Sequence, residues 1–162
     1  MARTADPTAR SALVAAARVQ FARAGIKGAR IEDITQASGL SKGAFYLHFD
    51  SKEALFAELV AGFQRQMDQI VTERERAVRT HLEQHRLTAA RRQELVALEV
   101  KYDREVLELI WAERDVFAVL SRGAQGTAFE GLMWQLAERE VARVVGSLES
   151  MKTLGTCRAD VP

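Results

Sequence analysis

Apolar side chains recur along this chain at helical spacing, and no segment sustains the alternation of a strand. Asp6-Pro7 offers a cap residue followed by a proline suited to the first helical position. Leu13, Ala17, Phe21 and Ala24 then share one face, and Gly25 ends the run. A short helix is expected over about 31–38, with Ile31 and Ile34 inward, then a tight turn at Gly39-Leu40-Ser41. Ser41 caps a second short helix reaching about Phe49. Asp50 and Glu53, at capping-box spacing, open a long helix with Leu55, Leu59, Phe63, Met67 and Ile70 on one side. The charged stretch 72–92 reads as the exposed end of that helix plus a connection. Leu95, Leu98, Tyr102, Val106, Leu109 and either Val116 or Phe117 define the next helix, which Gly123 and Gly126 interrupt. Thr127 and Glu130 form a second capping-box pattern, from which Phe129, Leu132, Met133, Leu136, Val141, Val144, Val145, Leu148 and Met151 build a broad apolar face. The expectation is an all-α protein.

Composition narrows this only slightly. The 162 residues are 48% apolar and 28% charged with two prolines, which suits a packed helical protein rather than a disordered one. No apolar run reaches the ~18 residues of a membrane span, and residues 1–10 lack the apolar core of a signal peptide. The single cysteine, Cys157, has no internal disulfide partner, so a cytoplasmic setting is expected. Charge changes the picture more. The net charge is +1, yet residues 1–30 carry Arg3, Arg10, Arg18, Arg23, Lys27 and Arg30 against Asp6 alone. A basic end on a near-neutral chain points to a phosphate-facing surface, although a basic helix face is often simply solvated.

The most informative segment is 31–49. Gly39 can take the positive φ that ends one short helix, and Ile34, Leu40, Phe45 and Phe49 can bury the angle between that helix and the next. The second helix then presents Lys42, Ala44, Tyr46 and His48 outward. Gly43 and Ala44 are small enough for the backbone to lie near a groove floor. Lys42 can reach guanine O6 and N7, and the Ala44 methyl can touch a thymine methyl. Tyr46, His48 and Lys52 can donate to phosphates, as can backbone N–H groups at the helix start. A hairpin used only for packing would not need these small and donor residues on its outer face.

The string Gly39-Leu40-Ser41-Lys42-Gly43-Ala44-Phe45-Tyr46-Leu47-His48-Phe49, with Ser51-Lys52-Glu53-Ala54-Leu55 after it, resembles the head of the tetracycline-repressor (TetR) family of transcriptional regulators. Leu13–Ala17 and Phe21–Gly25 resemble that family's first helix, so the likeness covers about residues 8–60. The resemblance implies a three-helix helix-turn-helix head, taken as residues 1–51, joined by a long helix to a helical ligand-binding and dimerisation body over 52–162. It implies a homodimer on double-stranded, (pseudo)palindromic operator DNA, a repressor more than an activator, released by a small apolar or amphipathic effector. Position by position, Lys42, Gly43 and Ala44 would face bases, and Ser41, Tyr46, His48 and Lys52 phosphates. Two residues depart from the pattern: Thr35 stands where alanine is common, and Arg30 where a small hydroxyl residue often caps the second helix. The resemblance also leads to the expectation of a body without the family's final helix pair, either a shortened product or one whose dimer uses another surface.

Other chemistry is sparse. His81 and His85 sit one helical turn apart, but structural zinc wants four ligands, often thiolates, so no metal is expected. Tyr102, Trp111, Phe117, Phe129 and Trp134 are candidates to line an effector cavity, with plain core as the alternative. Cys157 reads as an inert tail thiol rather than a redox sensor. No nucleophile elbow, phosphate loop or zinc-protease motif is present, so neither an enzyme nor a cofactor is expected. A helical protein-interaction module without sequence-specific DNA binding is the alternative function.

Overall fold

A computed structural model describes residues 6–84 and 88–153, and within them every regular element is a helix. The elements are α1 (Pro7–Gly28), α2 (Ile31–Ser38), α3 (Lys42–Tyr46), α4 (Lys52–Gln84), α5 (Ala89–Ala112), α6 (Arg114–Ala118), a π-helical turn (Val119–Gly123) and α7 (Leu132–Thr153).

The capping residues explain most of the starts. Asp6 accepts the Thr8 N–H at 2.9 Å with Pro7 at the first helical position. Ser41 accepts the Ala44 N–H at 3.1 Å, and Thr88 the Arg91 N–H at 3.3 Å. The cap of α4 is Ser51, whose Oγ accepts from Ala54 N at 3.0 Å; the expected Asp50–Glu53 box does not form there. The Thr127–Glu130 box does not form either: Thr127 Oγ1 accepts from Phe129 N and Glu130 Oε2 from Gly126 N, each within a turn, and α7 begins later, at Leu132. α2 has no side-chain cap, as Arg30 in place of a hydroxyl residue implies.

α1 runs past Gly25, where the sequence places its end. Gly25 takes φ 67° and ψ 177°, a kink after which the chain turns helically to Gly28. Ala24 lies exposed, and Ile26 beyond the kink takes the inward role. The charged stretch 72–92 is helical for nearly its whole described length, as the end of α4 and the start of α5.

One core joins the first three helices to the middle of the chain. Leu13, Phe21, Ile34, Phe45, Leu55 and Phe56 pack in one cluster with Val116, Val119, Leu120 and Ala124. Phe56 sits edge-on to Phe21 on one side and to Phe129 on the other, with centroids 5.3 and 5.0 Å apart. Arg18 reinforces this seam from its flank. Its guanidinium donates to both Asp115 oxygens, at 2.6 and 2.8 Å, and to Glu113. The helix the sequence reads as continuous is interrupted here: α5 stops at Ala112, and α6 restarts at Arg114, with both carboxylates turned to α1. Arg18 is thus engaged with two carboxylates, and Arg10 pairs with Glu58 at the surface, so part of the basic excess of the first 30 residues is neutralised by acidic partners within the protein.

Candidate nucleic-acid interface

The turn between α2 and α3 is a Schellman closure. Gly39 sits at φ 69°, ψ 21°; its N–H donates to Gln36 O at 3.2 Å, and Leu40 N–H donates to Thr35 O at 2.9 Å. Thr35 is buried, and its hydroxyl donates to Glu32 O at 3.0 Å, so the departure from alanine is accommodated without an orphan polar group. Phe45 is fully buried and touches Phe49 at 5.7 Å between centroids, which anchors α3 against the core and fixes which face is left outside.

That outer face holds the residues named from the sequence. Ser41, Lys42, Gly43 and Tyr46 are exposed, and Ala44 and His48 are half-buried. Tyr46 leans edge-on against Phe45, which leaves its hydroxyl end free of the core. A Cβ added to Gly43 would meet only Ser41 Oγ, at 3.7 Å, so nothing inside the protein requires a glycine there. Lys42 does not stand alone: its Nζ pairs with Glu32 in the first turn of α2. That contact raises the Lys42 pKa above the ordinary lysine value and lowers that of Glu32, chiefly through the hydrogen bond between them. Lys52 is placed differently from the rest. Its Nζ donates to Lys27 O at 3.0 Å and Ala29 O at 2.8 Å, so it ties the α1–α2 link to the start of α4. Glu32 was not singled out from the sequence; ten positions separate it from Lys42, and no periodic pattern joins them.

A second feature lies in the body. A cavity of about 500 Å³ opens between α4, α5, α6 and α7, walled by Phe63, Met67, Val106, Phe117 and Leu136, with Arg74 and Arg143 at its polar side. Arg74 pairs with Glu99 and Asp103, and Arg143 with Glu140. Of the five aromatic residues expected to line a cavity, Phe117 lines this one, and Trp111 lines with Phe117 a separate, more open pocket beside α5 and α6. Tyr102 is buried with Lys101 over its ring, and Phe129 packs on Phe56. Trp111 and Trp134 are 72% and 76% exposed. The largest share of the wall comes from α4, whose apolar face has a core role at its start and a cavity role further along. His85 and Cys157 lie outside the described residues.

A buried three-helix head with a short, outward-facing third helix after a glycine turn defines a helix-turn-helix protein. Residues 13–59 match the family model described as bacterial regulatory proteins, tetR family. Over 54 residues the chain is 41% identical to the Uncharacterized HTH-type transcriptional regulator YdgC of Bacillus subtilis (strain 168), covering 33% of this chain and 28% of that protein. It is 39% identical over 54 residues to the HTH-type transcriptional repressor KstR2 of Rhodococcus jostii (strain RHA1), covering 33% and 26%. The head, residues 13–59, is thus similar to the DNA-binding heads of TetR-family transcriptional regulators. These matches span little more than a quarter of each relative's length. The fold as a whole is similar to the crystal structure of Probable transcriptional regulatory protein RHA5900, with TM-score 0.56 and 24% identity, covering 94% of this chain and 76% of that one. No described helix is long and apolar enough to cross a membrane.

Proposed function

We propose that this chain is an effector-responsive repressor that binds a (pseudo)palindromic operator as a homodimer. The observation that carries the DNA-binding part is the outer face of α3. Lys42, Gly43 and Tyr46 lie exposed on a helix whose other side is locked by Phe45, with the gap at Gly43 open to a ligand from outside. Lys42, Gly43 and Ala44 face bases in this reading, and Ser41, Tyr46 and His48 face phosphates. Lys52 contributes chiefly by holding the head together, because two of its three donors are already engaged.

Two further observations support the rest. The cavity has an apolar wall and a few polar groups, which suits a small apolar or amphipathic effector. Phe117 connects it to the head: it lines the cavity from α6, whose Asp115 and Val116 grip α1. The repressor sense follows KstR2, which is named a repressor. A dimer is favoured because one short α3 contacts few bases, and two heads about 34 Å apart would read two half-sites.

The test is selection of bound duplex from a random pool with the purified chain, followed by a salt titration. Recovery of an inverted-repeat site, bound less tightly as salt rises, supports the reading. A chain that enriches no sequence and binds duplex with no salt dependence is instead a protein-interaction module.

A further inference from the structure

We propose that Glu32 positions Lys42 for base reading: it holds the ammonium over the outer face of α3 before DNA arrives and keeps one of its donors during recognition. This rests on the DNA-binding reading above.

Lys42 and Glu32 begin different helices. Lys42 is the first residue of α3, and Glu32 lies in the first turn of α2; their side chains meet across the turn while both stay more than half exposed. A lysine on the open face of a helix would normally sample many rotamers, and an ion pair anchored in another helix restricts that sampling. An acid at the start of α2 also suits that helix's dipole, but Asp33 in the same turn already serves it. The reach to Lys42 needs a separate account.

The ammonium carries three N–H donors. One engages Glu32 Oε1, which leaves two for guanine O6 and N7, the pair of acceptors that distinguishes this base in the major groove. The side chain is then partly ordered before binding, so less conformational freedom is lost at the operator. The carboxylate has an opposite effect on phosphates. It is a negative charge on the approaching surface and a competitor for the cation, so it weakens contacts that any sequence could make. Glu32 thereby acts with opposite sign on the two kinds of site, and their ratio is what a regulator needs.

The probes are the duplex recovered by wild-type selection and a random-sequence duplex of the same length, each titrated with full chain at several salt concentrations. Glu32→Gln should weaken the selected duplex roughly three- to tenfold and tighten the random one by a similar factor. Its salt slope on random DNA should steepen by about 0.9, one extra phosphate contact. Glu32→Asp keeps the charge but shortens the reach; it should lose operator affinity without gaining random binding. In a Lys42→Ala background, Glu32→Gln should no longer weaken the operator. Thermal unfolding confirms that the variants fold. The proposal is overturned if Glu32→Gln raises both affinities by one factor, which is charge screening alone, or changes neither. It is equally overturned if operator loss persists without Lys42, since Glu32 would then read a base itself. A wild-type chain that binds neither duplex in a salt-dependent way overturns the DNA-binding reading, and does so before any variant is made.

Discussion

Gly25 and Gly123 meet backbone to backbone: a Cβ on Gly25 would lie 3.0 Å from Gly123 O, and one on Gly123 would lie 3.0 Å from Gly25 Cα. The kink of α1 and the π-helical turn are thus fitted to each other. Gly25 also holds φ 67° and ψ 177°, where a side chain is strained. Gly123→Ala should cost about 1–3 kcal/mol because only backbone can yield. Gly25→Ala should cost at least as much. Denaturant midpoints check both; variants as stable as wild type would mean that the seam relaxes freely.

Arg18 and Asp115 give a pH signature. Burial pushes the Asp115 carboxyl up, but the hydrogen bonds from Arg18 and from Val116 N–H outweigh it and hold its pKa below the ordinary value. A depressed folded pKa contributes stability above the unfolded value of about 3.9, and that stability is lost as pH falls through the folded value. Wild type should therefore lose more of its melting temperature on acidification below about pH 4 than Asp115→Asn does. Arg18→Met, which strands two carboxylates facing one another, should cost about 1–2 kcal/mol at neutral pH, between an exposed and a fully buried pair.

Gly43→Ala separates folding from binding. The site has room, and alanine is the better helix former, so stability should hold or rise by up to about 1 kcal/mol. Binding to the selected duplex should fall, because the added methyl occupies the space between α3 and the bases. Unchanged binding would place DNA elsewhere.

Lys52→Ala should do the reverse. It releases Lys27 O and Ala29 O, so the head should lose about 1–2 kcal/mol and bind every duplex less well. If its melting temperature is unchanged while the salt slope flattens by about 0.9, Lys52 is a phosphate contact after all.

Trp111 and Trp134 can report on assembly. Both face solvent in the single chain, so their emission should be that of hydrated indoles. Val141, Val144 and Val145 on α7 are exposed too, whereas Leu136 of the same helix turns into the cavity. If α7 forms the dimer, light scattering gives twice the chain mass at micromolar concentration and Trp134 emission shifts to the blue on association. Val144→Glu should abolish both. A folded dimer that survives the substitution uses another surface.

The head was legible because its instructions are local. Gly39, Ser41 and Phe45 each specify one backbone event or one buried contact within a few residues. The body was less so. Nothing between Leu109 and Phe117 signals a break, and the interruption after Ala112 falls where Glu113 and Asp115 meet Arg18, nearly a hundred residues upstream. The surroundings of the tryptophans were not legible for a related reason: α5, which carries Trp111, and α7, which carries Trp134, expose apolar residues as well as packing others inward, and periodicity does not say which face has a partner. Tyr102 turned inward, whereas Leu107 and Trp111 turned out. The role of Lys52 was hidden because a lysine following a helix cap serves a backbone carbonyl as well as it serves a phosphate.

The 33 unbroken residues of α4 form a rod about 50 Å long, its first turns wedged in the head and its middle walling the cavity. A straight rod works as a lever. A tilt of about 5° pivoting at one end displaces the other by about 4 Å. That exceeds the 3.4 Å rise of about one base pair. A disturbance too slight to unfold anything in the body is thus large enough to put a reading head one step out of register.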